Sequence, residues 1–401
     1  MGVLNRQVGG FIENSSWIRR MFEAGAELKK RYGEENVFDF SLGNPDLPPP
    51  PDVGAALRAL ADTADRPFAF GYMPNAGYPD LRSRLAGHLG AEQGVVLEPG
   101  HVLVTCGAAG GLNVILRAVL EPGEEVLCPA PFFVEYTFYA QNFGGVLRPV
   151  PCRTPDFGLD LEAMAAALSE KTRVVLINSP NNPTGRIYGR DELEALAGML
   201  REHGAKTGRP VFLISDEPYR FQAYDGIEVP SVLPLYGYAL VVSSFSKNLS
   251  LAGARLGYVI VNPAMPEGVT LMNGLILANR ILGFVNAPAI AQQILGRVLG
   301  SGVDVSVYDA RRRAMARILT EAGLEFCMPG GAFYFFPRVP VDMPDPEFTA
   351  RLMEERILAV PGSGFGMPGY FRMAFCVDEK VIAGAGRGLA RVVQALRSER
   401  S

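Results

Sequence analysis

Short, predominantly apolar runs recur through the middle of this 401-residue chain, and each ends in a turn rich in polar or small residues. Uninterrupted apolar runs of this length are typical of strands that are buried on both faces of a parallel sheet. Helical segments separate several of the runs, so the sequence predicts an α/β fold with a doubly wound, mostly parallel sheet. The runs are 102–105, 125–128, 174–177, 211–214, 238–242 and 258–261.

Four consecutive prolines at 48–51 mark a boundary between an N-terminal segment and the region that carries the predicted sheet. After the last apolar run of that region, a long helix at about 304–322 leads into shorter strands and helices. We therefore predict a large domain over 47–291 and a smaller α+β domain that is built from both termini, 1–46 and 292–401.

The charge pattern does not favour a nucleic acid or a membrane as a partner. Acidic and basic residues nearly balance, with a net charge of −4, and no basic block stands out. No segment reaches the roughly 18 uncharged apolar residues of a membrane span. The N-terminus also lacks the basic-then-apolar pattern of a secretory signal. We expect neither nucleic acid nor membrane binding.

The five cysteines and three histidines do not form a recognisable site. The cysteines are scattered and contain no C-x-x-C pair, which argues against a disulfide framework or a structural zinc site. The histidines lack the partners of a catalytic triad or a metal site. The sequence therefore predicts no metal, and a reducing, cytoplasmic location.

One lysine follows the apolar run at 238–242 in a context that suits an aldehyde cofactor. Lys247 lies three residues after Ser244 and eight residues before Arg255. A lysine among apolar neighbours loses its proton more readily than a solvated one, which favours a Schiff base with an aldehyde. The flanking hydroxyl and guanidinium suit a phosphate dianion. An isolated lysine between strands is more often a surface residue, so this interpretation depends on the other segments.

Two other predicted strands end in residues of matching chemistry. The strand at 102–105 runs into a small-residue turn with Gly107, Ala108 and Ala109, which would offer backbone N–H groups to a phosphate at a helix N-terminus. The turn matches neither a P-loop nor a dinucleotide motif. Asp216 follows the strand at 211–214, where open α/β sheets place ligand contacts. Its carboxylate can hold a pyridine nitrogen protonated, which makes the ring an electron sink.

An arginine interrupts the apolar run at 371–375. A guanidinium in such a strand is costly to bury unless it has a partner. Arg372 is therefore a candidate to bind the α-carboxylate of a substrate through two parallel hydrogen bonds.

Together these segments resemble fold-type I pyridoxal phosphate enzymes, in particular the class I/II aminotransferases of the aspartate aminotransferase type. The resemblance covers nearly the whole chain, and its motifs occur in the order of that family. They are N-x-P-x-N-P-T-G at 178–185, D-E-P-Y at 216–219, S-F-S-K-N with G-x-R-x-G at 244–257, V-P-G-x-x-F-G at 360–366 and F-R-x-x-F at 371–375.

The resemblance implies a role for each matched residue. Lys247, Asp216 and Tyr219 would be the catalytic residues, with Lys247 bound to pyridoxal phosphate as an aldimine. The cofactor-binding residues would also include Gly107, Ala108, Ala109, Phe133, Asn182, Ser244 and Arg255. Phe133 would stack on the cofactor ring, while Asn182 and Tyr219 share its phenolic oxygen. Tyr72 would reach the cofactor phosphate of the other subunit, so the family pattern implies a homodimer.

For the substrate, the resemblance implies binding by Gly43, Asn182 and Arg372. Arg280, or else Arg19 or Arg20, is a candidate to bind a distal carboxylate. The expected reaction moves the amino group of an L-amino acid, with aspartate favoured, to a 2-oxo acid such as 2-oxoglutarate. Two alternatives stay open: a pyridoxal phosphate-dependent C–S β-lyase or another amino-acid lyase, and a non-catalytic pyridoxal phosphate-binding regulatory domain.

Overall fold

The structure is a computed structural model, and it describes residues 3–13 and 17–399. The helices in this part of the chain are α1 (Arg6–Glu13), α2 (Trp17–Tyr32), α3 (Pro51–Ala61), α4 (Pro79–Gln93), α5 (Gly107–Val119), α6 (Glu135–Gln141), α7 (Leu161–Ala167), α8 (Arg190–Thr207), α9 (Gly268–Ile281), α10 (Ala289–Val298), α11 (Val305–Glu321), α12 (Asp345–Glu354) and α13 (Glu379–Ser398). The strands are β1 (Phe38–Asp39), β2 (Val102–Thr105), β3 (Glu125–Ala130), β4 (Val146–Pro151), β5 (Thr172–Asn178), β6 (Phe212–Asp216), β7 (Ala239–Ser244), β8 (Gly257–Val261), β9 (Tyr334–Phe335), β10 (Ile357–Leu358), β11 (Val360–Pro361) and β12 (Phe371–Ala374).

The predicted sheet is present as a seven-stranded sheet with the order β2-β8-β7-β6-β5-β3-β4. Strands β4, β3, β5, β6 and β7 pair in parallel, whereas β8 is antiparallel to both β7 and β2. The expectation of a mostly parallel α/β sheet is therefore confirmed. Strand β4 was not predicted, because this edge strand is largely exposed and carries two prolines, and so lacks the apolar run of its neighbours.

Helices cover both faces of this sheet, as the doubly wound fold requires. Successive residues of a strand point to opposite faces, and Leu240 and Val242 accordingly join one core while Val241 joins the other. Helices α5 and α9 contribute buried residues to the first of these cores, and α3, α4, α8 and α10 contribute to the second. The central strands are thus held rigidly between two apolar layers.

A separate core joins the two ends of the chain. Strand β1 pairs in parallel with β10, and a second small sheet has the antiparallel order β11-β12-β9. Phe40 packs in one apolar cluster with residues of α11, α12 and α13. The division into two domains stays a prediction. Its boundary at 291/292 falls inside α10, whose later residues Ile294 and Leu295 belong to the core of the large sheet.

The carboxyl ends of the parallel strands meet at one edge of the large sheet. Asn178 at the end of β5 pairs with Asp216 at the end of β6, and Asp216 pairs with Val242 near the end of β7. Ligands bind beyond this edge in open α/β sheets. Among the described residues, no helix combines the length and the apolar character needed to cross a membrane.

Candidate active site

A cavity of about 290 Å³ opens at this edge of the sheet, where the loops after β5, β6 and β7 face β9 and β12. Its lining brings together most of the residues that the sequence singled out. These are Gly43, Ala108, Ala109, Phe133, Asn182, Asp216, Tyr219, Ser244, Lys247, Arg255 and Arg372. Gly107 lies directly behind the lining, at the first position of α5.

Lys247 follows β7 and points its amine at the N-terminal segment. Its Nζ donates a hydrogen bond to the carbonyl oxygen of Gly43 at 2.6 Å. Burial lowers the pKa of Lys247 to about 8, and the charges of Arg372 and Arg255 act in the same direction. The lowered pKa increases the share of neutral amine, which is the form that attacks an aldehyde.

Asp216 has one carboxylate oxygen bound and one free. Its Oδ2 accepts a hydrogen bond from the Tyr136 hydroxyl at 2.5 Å. Its Oδ1 is buried and has no hydrogen-bond partner among the described residues. Burial raises the pKa of Asp216 to about 7, although the bond from Tyr136 acts in the opposite direction. A buried, unpaired carboxylate oxygen requires a donor, and a protonated ring nitrogen has the right charge and hydrogen-bonding character.

The N-x-P-x-N-P-T-G segment forms a turn that is tied to the neighbouring strand. The Asn178 amide donates to the Asp216 carbonyl at 2.8 Å, and its Oδ1 accepts from the Asn182 backbone N–H at 2.7 Å. Asn181 Oδ1 accepts from both the N–H and the hydroxyl of Thr184. These bonds fix the backbone of the turn, and the Asn182 side chain lines the cavity.

Arg372 on β12 is buried without a carboxylate beside it. Its Nη1 donates to Asn182 Oδ1 at 3.0 Å, and its Nη2 donates to the Ser41 carbonyl at 2.5 Å. Within residues 3–13 and 17–399, its Nε finds no hydrogen-bond partner. Burial lowers the pKa of Arg372 from its ordinary value. Since its acceptors are neutral, the guanidinium is free to bind an incoming anion through a charge-assisted pair of hydrogen bonds.

The opposite end of the cavity suits a phosphate. Helix α5 begins at Gly107, which has a φ of +72°, and Ala108 and Ala109 of its first turn line the cavity. A Cβ built on Gly107 would lie 3.0 Å from Arg255 Nη2, so the guanidinium sits close to the start of the helix. A helix N-terminus and an arginine together form an anion site.

The comparisons with known proteins agree with this geometry. Residues 35–387 match the family model described as aminotransferase class I and II. The chain belongs to this family.

Its relatives cover almost its full length. The probable aspartate/prephenate aminotransferase of Aquifex aeolicus is 31% identical over 90% of this chain and 91% of its own. A solved aminotransferase from Eubacterium rectale superposes with a TM-score of 0.94 at 34% identity, covering 98% of this chain and 99% of that one. The aspartate aminotransferase from Thermus thermophilus, solved with maleate, has a TM-score of 0.87 at 29% identity, with 98% and 100% covered.

Members of the class I and II family depend on pyridoxal phosphate, and this chain is accordingly a pyridoxal phosphate-dependent aminotransferase that acts on amino acids and 2-oxo acids. The resemblance that the motifs suggested is confirmed. The residues of the cavity fit the cofactor chemically, because the unpaired Asp216 Oδ1 could accept from a protonated ring nitrogen and the anion site at α5 could hold a phosphate.

Two predicted residues of this aminotransferase lie outside the cavity of their own chain. Tyr72 is 97% exposed and lines a surface groove with Phe70, Phe284 and other residues. Arg280 is exposed on α9 and does not reach the cavity. The side chains of Arg19 and Arg20 lie outside the described part of the structure. These assignments stay predictions.

Three tyrosines that the sequence reasoning did not select line the cavity: Tyr136, Tyr139 and Tyr334. Tyr136 bonds to Asp216, and its ring meets Phe133 edge-on with 5.6 Å between centroids. Tyr334 on β9 places its hydroxyl 2.8 Å from the Tyr219 hydroxyl. Tyr136 and Tyr334 lie in apolar runs in which aromatic residues ordinarily pack in a core. A signal for Tyr136 was its place three residues after Phe133, a predicted cofactor contact.

Proposed function

We propose that the cavity binds pyridoxal phosphate with its aldehyde at Lys247 and its ring nitrogen at Asp216 Oδ1. The phosphate would lie against the N-terminus of α5, Ser244 and Arg255, with the ring against Phe133. Asn182 and Tyr219 would share the phenolic oxygen. One observation carries this proposal: a buried amine with a lowered pKa and a buried carboxylate with an unpaired oxygen line the same cavity.

In the proposed mechanism Lys247 moves the proton at the substrate Cα. When bound, the cofactor supplies an aldehyde that takes up the amino group and a ring that withdraws electrons from Cα. A lysine whose pKa is about 8 can act as general base and general acid near neutral pH. Asp216 would keep the ring nitrogen positive, and that positive charge would in turn favour the ionised form of Asp216.

Arg372 would hold the α-carboxylate of both the amino acid and the 2-oxo acid. Its two Nη groups point along the wall formed by Asn182 and the segment with Ser41. A carboxylate held at a fixed place sets the position of the adjacent Cα relative to the Lys247 amine. Such positioning is a large part of catalysis in reactions between bound groups.

We further propose aspartate as donor and 2-oxoglutarate as acceptor. The support is that several relatives are named as aspartate aminotransferases and that a similar solved structure holds maleate, a dicarboxylate. Of the cations that line the cavity, Lys247 and Arg255 would serve the cofactor and Arg372 the α-carboxylate. A distal carboxylate therefore requires another cation, for which Arg280, Arg19 and Arg20 are the candidates.

The proposed assembly is a homodimer in which Tyr72 completes the partner's site. Tyr72 and Phe68 are almost fully exposed, and Leu277 and Ile281 expose about half of their surface. Large exposed apolar side chains of this kind mark surfaces that other molecules cover. Arg280 lies on the same helix as Leu277 and Ile281, so it would reach a substrate across this interface. We also propose a cytoplasmic location, and the unpaired cysteines are the one observation that supports it.

The test replaces Lys247 by alanine, with the exposed Lys171→Ala as the matched control. The K247A protein should lose the visible absorbance of the reconstituted enzyme and at least about a thousandfold of its activity, whereas K171A should keep both. Oxo-acid formation from aspartate and 2-oxoglutarate measures transamination. Pyruvate and ammonia from cystathionine would instead indicate a β-lyase. Normal turnover by K247A would refute the proposal.

A further inference from the structure

Tyr334 contacts two residues to which we assign separate tasks. The side chain is 2% exposed and lines the cavity from β9. Its hydroxyl lies 2.8 Å from the Tyr219 hydroxyl, and either oxygen can be the donor. Its ring centroid lies 4.7 Å from Cζ of Arg372. One side chain thus joins a proposed cofactor contact to the proposed carboxylate anchor.

The Tyr334 hydroxyl is fixed from the side of the N-terminal segment as well. A Cβ built on Gly43 would collide with this hydroxyl, so a glycine is needed there while Tyr334 keeps its position. The carbonyl of the same glycine accepts the hydrogen bond from Lys247 Nζ. Tyr334 therefore fills the space between Gly43, Tyr219 and Arg372 and leaves its hydroxyl little freedom to turn away from Tyr219.

The ring of Tyr334 faces a guanidinium whose hydrogen-bond acceptors are both neutral. Arg372 bonds to an amide oxygen and a backbone carbonyl, and a second ring, that of Phe365, lies 4.8 Å from its Cζ. The negative face of an aromatic ring attracts a cation without neutralising it. Two such rings stabilise the charge of Arg372 in a buried place and leave that charge available to a substrate.

We propose that Tyr334 is a positioning residue that acts through Tyr219 and Arg372. Its hydroxyl donates to the Tyr219 oxygen, which directs the Tyr219 proton to the phenolic oxygen of the cofactor. Its ring fixes the orientation of the Arg372 guanidinium and stabilises its charge, so that the guanidinium can bind the α-carboxylate. This inference rests on the proposed roles of Tyr219 and Arg372. It assigns the pH midpoint of the visible absorbance to the Tyr334 hydroxyl and KM to the Tyr334 ring.

The first experiment separates the hydroxyl from the ring in the reconstituted enzyme. Tyr334→Phe keeps the ring, so KM should stay within about twofold of the wild type. The pH midpoint of the visible absorbance should rise by about half a pH unit or more, because a weaker hydrogen bond from Tyr219 favours the protonated chromophore. Tyr334→Leu also removes the ring, and KM for both amino acid and oxo acid should rise at least about tenfold.

The matched control is Tyr224→Phe. Tyr224 is a buried tyrosine of the same core, and its hydroxyl donates to the Ala332 carbonyl at 2.7 Å, but it does not line the cavity. A purely structural role for the Tyr334 hydroxyl predicts the same small effects in Y224F and Y334F. Our proposal predicts a shifted midpoint in Y334F and an unchanged midpoint in Y224F.

A double variant then tests whether the hydroxyl acts through Tyr219. Adding Tyr334→Phe to Tyr219→Phe should leave the midpoint at the value of Tyr219→Phe alone. The Tyr334 hydroxyl acts only through the Tyr219 hydroxyl, which that variant already lacks. Additive shifts, or an unshifted midpoint in Y334F, would overturn the inference. If Y334L does not fold, Y334F and the double variant still test whether the Tyr334 hydroxyl acts through Tyr219.

Failure of this inference can be told apart from failure of the proposed function. If the K247A protein keeps its absorbance and its turnover, the assignment of the site itself is wrong. If K247A loses both while Y334F behaves as wild type, the site assignment stands and the role of Tyr334 alone is wrong.

Discussion

Replacing Asp216 by asparagine should stabilise the cofactor-free protein at alkaline pH, although it removes a residue to which we assign a catalytic role. The pKa of Asp216 rises from 3.8 to about 7 when burial takes its carboxylate out of water. Between these two values the folded state binds a proton that the unfolded state has released. The free energy of unfolding therefore falls as pH rises toward 7, and the full cost of the buried charge is present above the folded pKa.

The size of the effect follows from the width of that pH window. Each pH unit across which only the folded state is protonated changes the free energy of unfolding by about 1.36 kcal/mol. Between about pH 5 and pH 8, only the folded state is protonated over about two pH units. The free energy of unfolding of the wild type should therefore fall by ~3 kcal/mol between these pH values. Asp216→Asn has no ionisable group there, and its stability relative to the wild type should grow by that amount.

Urea denaturation of the cofactor-free proteins at about pH 5 and pH 8 measures the difference. Asp225→Asn is the control, because Arg312 holds the pKa of exposed Asp225 below its ordinary value. Its contribution is present above the unfolded pKa and is lost only at more acidic pH, so the D225N difference should be the same at both pH values. A D216N difference that does not change with pH would refute the reasoning.

Two further predictions concern the substrate anchor and the assembly. Arg372→Lys should raise KM for both substrates by about 10- to 100-fold, because a lysine cannot donate two parallel bonds to a carboxylate; the exposed Arg338→Lys should leave KM unchanged, and steady-state kinetics measures both. Mixing inactive Tyr72→Ala and Lys247→Ala proteins, after their subunits exchange, should restore up to about a quarter of wild-type activity, since each hybrid dimer then has one intact site; no recovery despite exchange would contradict a shared site.

The sequence predicted those parts of the site that depend on a strand and the turn that follows it. Lys247, Asp216 and Asn182 each lie just beyond an apolar strand, and parallel strands bring such ends to one edge of a sheet. Strands that alternate with helices pair in parallel, so the turns that follow them lie at the same edge of the sheet. The same reasoning predicted the α/β class of the fold and the mostly parallel pairing of its large sheet.

The sequence could not predict contacts that depend on packing between distant segments. Tyr136 and Tyr334 lie in apolar runs, and nothing local distinguishes a core tyrosine from one whose hydroxyl meets a carboxylate or a second tyrosine. Strand β4 lacks an apolar run because it lies at the sheet edge. Tyr72 and Arg280 do not line the cavity of their own chain, so the roles proposed for them require a second subunit.

The bond between Arg372 and the Ser41 carbonyl joins positions that are 331 residues apart. A growing chain that ends before β12 already contains Lys247 and Asp216, the proposed cofactor contacts, but not Arg372, the proposed anchor for the substrate carboxylate. During synthesis, sheet formation can therefore precede substrate recognition, and the order of translation separates the two events. Contacts this distant in sequence are slow to form. The proposed substrate binding by Arg372 is therefore among the last properties that the newly synthesised enzyme acquires.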